Sequence, residues 1–457
     1  MSTQQKPTEK QETSIFEQSL NWYIQQINSL KDTIPMIFNI LASNTIMRFE
    51  KLKKFNKQYG LDKVKDNKSL SFPIELYGCY EQLIEDVDKA MEATMLYPCN
   101  MVVSFVSIYD AFIGNIIKGI YLTTPEKLNE CNREIPIKEL LQFASIDEAK
   151  AHIVEKEAET VLRSSHIEQL EWFGKKLGTS FKDFDSYSRF VEITERRNLY
   201  VHTNGTVSRQ YISVCSKEKV KDISGIKNGD RLPATPEYVI DCYNTLFEVG
   251  VQLGIVVWRK LKKGDEKVDD YLNEVCYNLL KQKKYELAKV MLNFATKTIK
   301  KHATEEIRRY LIINKALAYY LSGDKQTCNT IIDTEDWSAT AAKFQLAIAV
   351  LKEDYDTASK KMEESKSDIN SVAYYEWPLF IKFRNSTEFK TEYNRLYGQN
   401  FEYTEPQKEK YEDILQYALD IRNKVKEFAK EETKGDECSN CEIVEDVLDS
   451  QYNEVEK

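Results

Sequence analysis

FVEITERRNLYVHTNGTVSRQYI, residues 190–212, is the stretch that decides what kind of fold this chain has. Apolar residues recur at helical spacing as far as Val201, and Asn204-Gly205 supplies the stop, since both residues tolerate the left-handed conformation that ends helices. A polar turn and a short apolar run follow. At 3.6 residues per turn, Phe190, Ile193, Arg197, Tyr200 and Val201 share one broad side, while Glu195, Asn198 and His202 form the neighbouring stripe. Arg197 interrupts the apolar side. Its guanidinium cannot shed its charge and needs a carboxylate, a phosphate or a route to water. Asn198 and His202, four apart, can meet, and the helix dipole favours an imidazolium in the last turn. Of four histidines in the chain, only His202 has such company. Two roles stay open on spacing alone: an anion-facing group beside a titratable imidazole, or an ordinary last turn whose arginine snorkels to solvent.

Strongly apolar helices are expected on either side. MVVSFVSIYDAFIGNIIKGIYL, residues 101–122, contains Asp110 and Lys118 and reads as a buried helix rather than a membrane span. A further helix over residues 75–96, with Leu83, Val87, Ala90 and Met91 on its apolar side, leads through Pro98 into it. Ser107 and Asp110 stand three apart there, and a carboxylate among apolar residues needs a partner: Arg197 is one candidate, exposure to solvent the alternative. PEYVIDCYNTLFEVGVQLGIVVWRKL, residues 236–261, is a second long core helix. Residues 123–185 read as irregular or as short helices, and His152 and His166 lack the Cys or His neighbours that a zinc site requires. Residues 74–261 thus read as a self-contained helical bundle with the motif helix between two core helices.

At 457 residues, 42% hydrophobic and 30% charged with 15 Gly and 10 Pro, the chain is expected to hold two or three mostly helical domains. Residues 1–73 form an N-terminal extension: a polar start, a helical pattern from Ile15 to about Tyr59 with Pro35 marking an end or kink, and a basic run, residues 48–68, that is either a solvated helix face or an RNA contact. The net charge is -9, of which -8 falls in residues 431–457, an acidic tail carrying Cys438 and Cys441. That balance argues against broad nucleic-acid coating and leaves a local phosphate site open. Without a cleavable leader or an apolar run near twenty residues, a cytoplasmic protein that makes no membrane contact is expected, and the nine scattered cysteines read as reduced thiols. No phosphate loop, nucleophile elbow or HExxH pair occurs.

KKGDEKVDD, residues 262–270, marks a boundary. Beyond it LLKQKKYELAKVML, YYLSGDKQTCNTII and AVLKEDYDTASKKM begin at residues 279, 319 and 349 and align their small residues Ala288, Cys328 and Ala358, 40 and 30 residues apart. Each reads as a helix end, a charged turn and a helix whose small residue permits close packing. Over residues 262–400 this resembles degenerate tetratricopeptide-type hairpins, whose concave faces commonly take a protein partner. Residues 377–398 read as a capping helix pair, and residues 401–457 as one more helix and the tail.

The run RRNLYVHTNGTVSRQYI resembles the signature of the HEPN superfamily, helical bundles that include many endoribonucleases. The match lies in Arg197, Asn198 and His202 near a helix end, followed by Asn204, Gly205, Val207 and Tyr211, with Ser107 and Asp110 on a preceding core helix. The resemblance covers residues 74–261 of an all-α chain. It implies metal-independent RNA cleavage without a cofactor: a 2'-hydroxyl attacks the adjacent phosphorus and leaves a 2',3'-cyclic phosphate and a 5'-hydroxyl. His202 would transfer protons, Arg197 would hold the phosphate and Asn198 would orient either of them, with Glu195, Tyr211, Ser107 and Asp110 in support. It also implies a homodimer that brings two motifs to one cleft, in the setting of a regulated toxin or antiviral-defence effector. The competing expectation is a non-catalytic scaffold or sensor, because a fold does not establish an activity.

Overall fold

Pro35 and Pro98 do not interrupt the helices that contain them. In the computed structural model, which describes residues 14–61, 73–131, 133–221 and 223–404, α1 runs Ile15–Tyr59 and α2 runs Tyr77–Thr123, each with its proline inside. An interior proline costs about 3 kcal/mol. Val87 and Ala90 before Pro98, and Met101, Val102, Phe105 and Val106 after it, are all buried. Each large side chain among them contributes roughly 1.5–3 kcal/mol, so burial outweighs the lost hydrogen bond. The described residues are all-α with no strand, only an isolated bridge between Thr206 and Arg231. The end of the basic run, the helix expected at residues 409–432, Cys438, Cys441 and the acidic tail lie outside the described residues.

The fold divides into two units, and the division passes through α1, α2 and α8. One unit takes α1 from Asn21, α2 as far as Ile117, α3 (Ile137–Leu140), α4 (Ile146–Arg163), α5 (His166–Leu177), α6 (Tyr187–Thr203), α7 (Arg209–Lys217) and α8 (Pro236–Leu261) as far as Val249. Its core joins α1, α2 and α8 through Tyr23, whose ring stacks on Phe112 at 4.4 Å and whose hydroxyl donates to the Leu246 carbonyl at 2.6 Å. Phe190 of α6 meets Tyr109 of α2 edge-on at 5.1 Å. The helices containing α2 and α8 are long and apolar enough to cross a membrane, but 56% and 78% of their apolar windows are buried inside the chain, as in core helices of a folded domain.

The other unit is built of hairpins: α9 (Lys267–Lys281) with α10 (Tyr285–Asn293), α11 (Glu305–Leu321) with α12 (Lys325–Asp333), and α13 (Ala342–Leu351) with α14 (Tyr355–Glu364). The three turns share one geometry. Lys283, Gly323 and Glu353 each take a positive φ, and the next amide reaches back to Leu279, Tyr319 and Ala349 respectively, closing the C-terminal end of the first helix. Ala288, Cys328 and Ala358 are fully buried. The repeat length is uneven because α11 has 17 residues and α13 has 10. At the α8 end, Asp269 accepts from Arg259 and from the Ala303 amide at 2.7 Å, with His302 Nδ1 3.6 Å away. After α15 (Ala373–Glu376), the expected helix pair is instead two 3-10 turns and α16 (Thr387–Tyr397). Pro378 has no N–H to continue a helix, and the Ser386 hydroxyl starts a new one by accepting from the Phe389 amide.

Ala288→Leu and Ala358→Leu overpack the hairpins and should each lower unfolding free energy by about 1–3 kcal/mol in denaturant titrations, whereas the exposed Lys360→Ala should stay within about 0.5 kcal/mol.

Candidate functional site

The end of α6 is fixed by its own backbone. Asn204 takes the left-handed conformation at φ 49°, and Gly205 at φ 78° sends its amide to the Leu199 carbonyl at 3.1 Å. A Cβ on Gly205 would stand 3.1 Å from the Leu232 carbonyl oxygen, so the close pass of the 229–232 segment requires glycine. Asn198 is half-buried and His202 is exposed one turn later, with no hydrogen bond or ion pair to the described residues. Val201, expected on the apolar side, is half exposed, while Glu195 is buried.

Arg197 reaches across to α2. Its Nη2 donates to Asp110 Oδ2 at 3.0 Å, its Nη1 to Asn198 Oδ1 at 3.3 Å, and its Nε is buried with no hydrogen-bond partner. The other oxygen of Asp110 accepts from His166 Nε2 at 2.9 Å. His166 is the first residue of α5, which a capping box between Ser165 and Glu168 holds in place. Its ring packs against Tyr109 and Phe190. Asp110 therefore joins three helices, with an arginine on one oxygen and a buried imidazole on the other. Burial pushes the Glu195 carboxyl above the usual glutamate range, and the nearby His166 partly offsets this.

A second cluster lies one turn earlier on α6. The Glu192 carboxylate is almost completely buried and accepts from Arg189 Nη1 at 2.9 Å, Arg196 Nε at 2.6 Å, the Tyr211 hydroxyl at 2.9 Å and the Tyr238 hydroxyl at 2.9 Å. The two guanidinium groups lie 4.8 and 4.1 Å from the centroid of the Tyr238 ring. Tyr211 thus belongs to this hub. Ser107 is exposed, and its hydroxyl donates to the Val103 carbonyl of its own helix at 2.9 Å. The buried Glu192, with its cationic and hydroxyl partners, explains why the covered arc of α6 is turned toward Glu192 and Glu195 and away from Val201.

No family model, curated protein or solved structure matches the chain. The chemistry of the α6 end therefore rests on its own geometry: an aimed guanidinium, a side-chain amide and an exposed imidazole in succession. Among the described residues, no group of three or more His, Cys, Asp or Glu is arranged to hold a metal ion. Sequence reasoning missed His166 and Glu192. His166 lies 56 residues from Asp110 and carries no local pattern. Glu192 did have a signal, since Arg189 three before and Arg196 four after are the spacings at which helical ion pairs form.

Glu195 has a raised pKa in the fold, so its ionised form is disfavoured there, and stability falls as pH rises through that value. Glu195→Gln should therefore melt above the parent at about pH 8, with the gap closing toward about pH 4. Glu192→Ala removes the carboxylate partner of Arg196 and of two tyrosine hydroxyls, leaves Arg189 with Asp241 alone, and should cost about 3–5 kcal/mol in denaturant unfolding.

Proposed function

We propose that residues 74–261 form a HEPN-type bundle whose Arg197–Asn198–His202 end cleaves RNA without a metal ion. The observation that carries this reading is the exposed His202 imidazole, free of partners among the described residues, one turn beyond an arginine already oriented by Asp110. Cleavage by the 2'-hydroxyl needs a proton removed from that oxygen, a proton given to the departing 5'-oxygen, and relief of charge on the phosphate. His202 supplies an exposed imidazole that can take up or give a proton. Arg197 brings donors to the phosphate, and Asn198, already bonded to the guanidinium, holds it in register.

One imidazole cannot act as base and acid in the same step, so a second copy presents its own α6 end and makes the homodimer the catalytic unit. The exposed Val201 beside His202 offers an apolar contact for that pairing. The hairpins that follow are of the tetratricopeptide type and bind a protein partner that controls or targets the nuclease, as suits a cytoplasmic toxin or defence effector. A scaffold without catalysis is the second reading, favoured by one observation: Arg197 Nη2 is already bonded to Asp110.

Purified protein should convert RNA oligonucleotides to fragments with 2',3'-cyclic phosphate and 5'-hydroxyl ends, unaffected by a chelator, and His202→Ala should slow this by about 10²–10⁴ while melting like the parent. Equal cleavage by parent and His202→Ala would refute the assignment. Asp110→Asn separates the two readings: a loss of cleavage larger than its loss of stability fits an aiming role, and a loss of stability alone fits the scaffold.

A further inference from the structure

His166 takes no proton and touches no substrate in the cleavage of RNA, yet it is buried against the carboxylate that aims Arg197. A guanidinium and a carboxylate commonly pair through two parallel N–H···O bonds, fork against fork. Arg197 and Asp110 do not. Asp110 Oδ2 accepts a single bond from Arg197 Nη2 at 3.0 Å, while Oδ1 accepts from His166 Nε2 at 2.9 Å. On the guanidinium, Nε–H lies beside Nη2 on the same edge and is the donor that a forked pair would place on Oδ1. That Nε is buried and has no hydrogen-bond partner.

An unpaired buried donor is costly, and taking Oδ1 would relieve it. The imidazole stands in the way. His166 is 8% exposed and is the first residue of α5, whose start is closed by reciprocal bonds between Ser165 and Glu168. Its ring lies with centroids 6.0 Å from Phe190 and 6.2 Å from Tyr109. A carboxylate oxygen only accepts, so the proton of the contact sits on Nε2. An imidazole held on both sides pins Oδ1, and with it the plane of the carboxylate, and leaves the guanidinium one oxygen. Arg197 therefore spends one donor on Asp110 and one on Asn198 and keeps the others. Its side chain is 23% exposed, so the group is open on part of its surface.

We propose that His166 is a positioning residue for the α6 end: by holding Oδ1 of Asp110 it keeps Arg197 in a single-point contact and so leaves guanidinium donors for an RNA phosphate. Without the imidazole proton, the carboxylate turns to take Nε and Nη2 together, and the arginine is locked against α2 as a structural ion pair. The consequence for RNA rests on the cleavage reading; the effect on the Arg197–Asp110 contact does not, and it is read separately. His166→Phe keeps a ring between Phe190 and Tyr109 and removes the donor, whereas His166→Gln places an amide N–H near the position of Nε2.

The test uses the full chain at a temperature where parent and variants are all folded by circular dichroism. In nitrogen-15 spectra, with the Arg197 Nε–H signal assigned by its absence in Arg197→Lys, His166→Phe should move that signal downfield and slow its exchange with water by about tenfold or more, as a new bond to Asp110 forms. Cleavage of an RNA oligonucleotide should fall about 10²-fold in His166→Phe and return to within about tenfold of the parent in His166→Gln. His166→Leu takes the place of His166→Phe if the latter does not fold. An unchanged Nε–H signal in the variant lacking the donor would overturn the proposal. So would a parent-like rate in that variant, or equal losses of rate in it and in His166→Gln, which would make the residue a packing element only. A parent that leaves RNA intact would sink the cleavage reading instead, and the Nε–H signal then decides the role of His166 by itself.

Discussion

Glu192 has to keep a carboxylate inside the protein, and the arrangement of α6 follows from how it does so. Two arginines of its own helix reach it at helical spacing, and two tyrosines come from α7 and α8. Each hydrogen bond to a charged group is worth about 1.5–3 kcal/mol, enough in sum to offset a desolvation cost of several kcal/mol. The bonds are also directional. They fix the rotation of α6 about its axis, and with it the face on which Glu195 is covered and Val201 and His202 emerge. A helix held only by apolar packing could turn by a fraction of a residue at little cost; one that must deliver four donors to a buried carboxylate cannot.

Much of the architecture was legible because helices announce themselves by period. The core helices over residues 101–122 and 236–261, the end of α6 at Asn204-Gly205, and the buried small residues Ala288, Cys328 and Ala358 all follow from local pattern. Where local rules failed, a longer-range term was larger. Pro98 reads as a break, yet the apolar side chains on both sides of it are buried together and hold α2 continuous. Val201 sits at an apolar position by spacing and emerges, because the neighbouring arc holds Glu192, whose partners are inside. The same limit applied to the site. The charge of Asp110 within an apolar run pointed toward Arg197, since each had a need the other could meet. Nothing local pointed to His166, whose role arises only when α5 docks against α2.

The hairpin unit illustrates the difference between seeing a repeat and seeing its use. Its turns recur because the backbone geometry that ends one helix and starts the next is the same at Lys283, Gly323 and Glu353, and only the middle position is glycine. The other two hold a side chain in a conformation that disfavours one, which they tolerate because the following amide is bonded in the same way each time. Lys315 of α11 breaks the pattern in another manner, since a lysine in a helical sequence looks like solvent-facing surface until the π-helical turn Phe294–Thr298 brings Thr296 against it.

The shared carboxylate of Asp110 ties Arg197 to events far from α6. Asp110 lies on α2, His166 opens α5, and Arg197 comes last in the chain. During synthesis, α2 and α5 are both made before the guanidinium exists, and α6 alone, as an isolated helix, lacks the Asp110 carboxylate that points its arginine toward α2. The aimed arginine is thus a property of the assembled bundle. A partly folded or fraying molecule carries the same residues without the arrangement, so whatever chemistry the α6 end performs is coupled to the completeness of the fold around it.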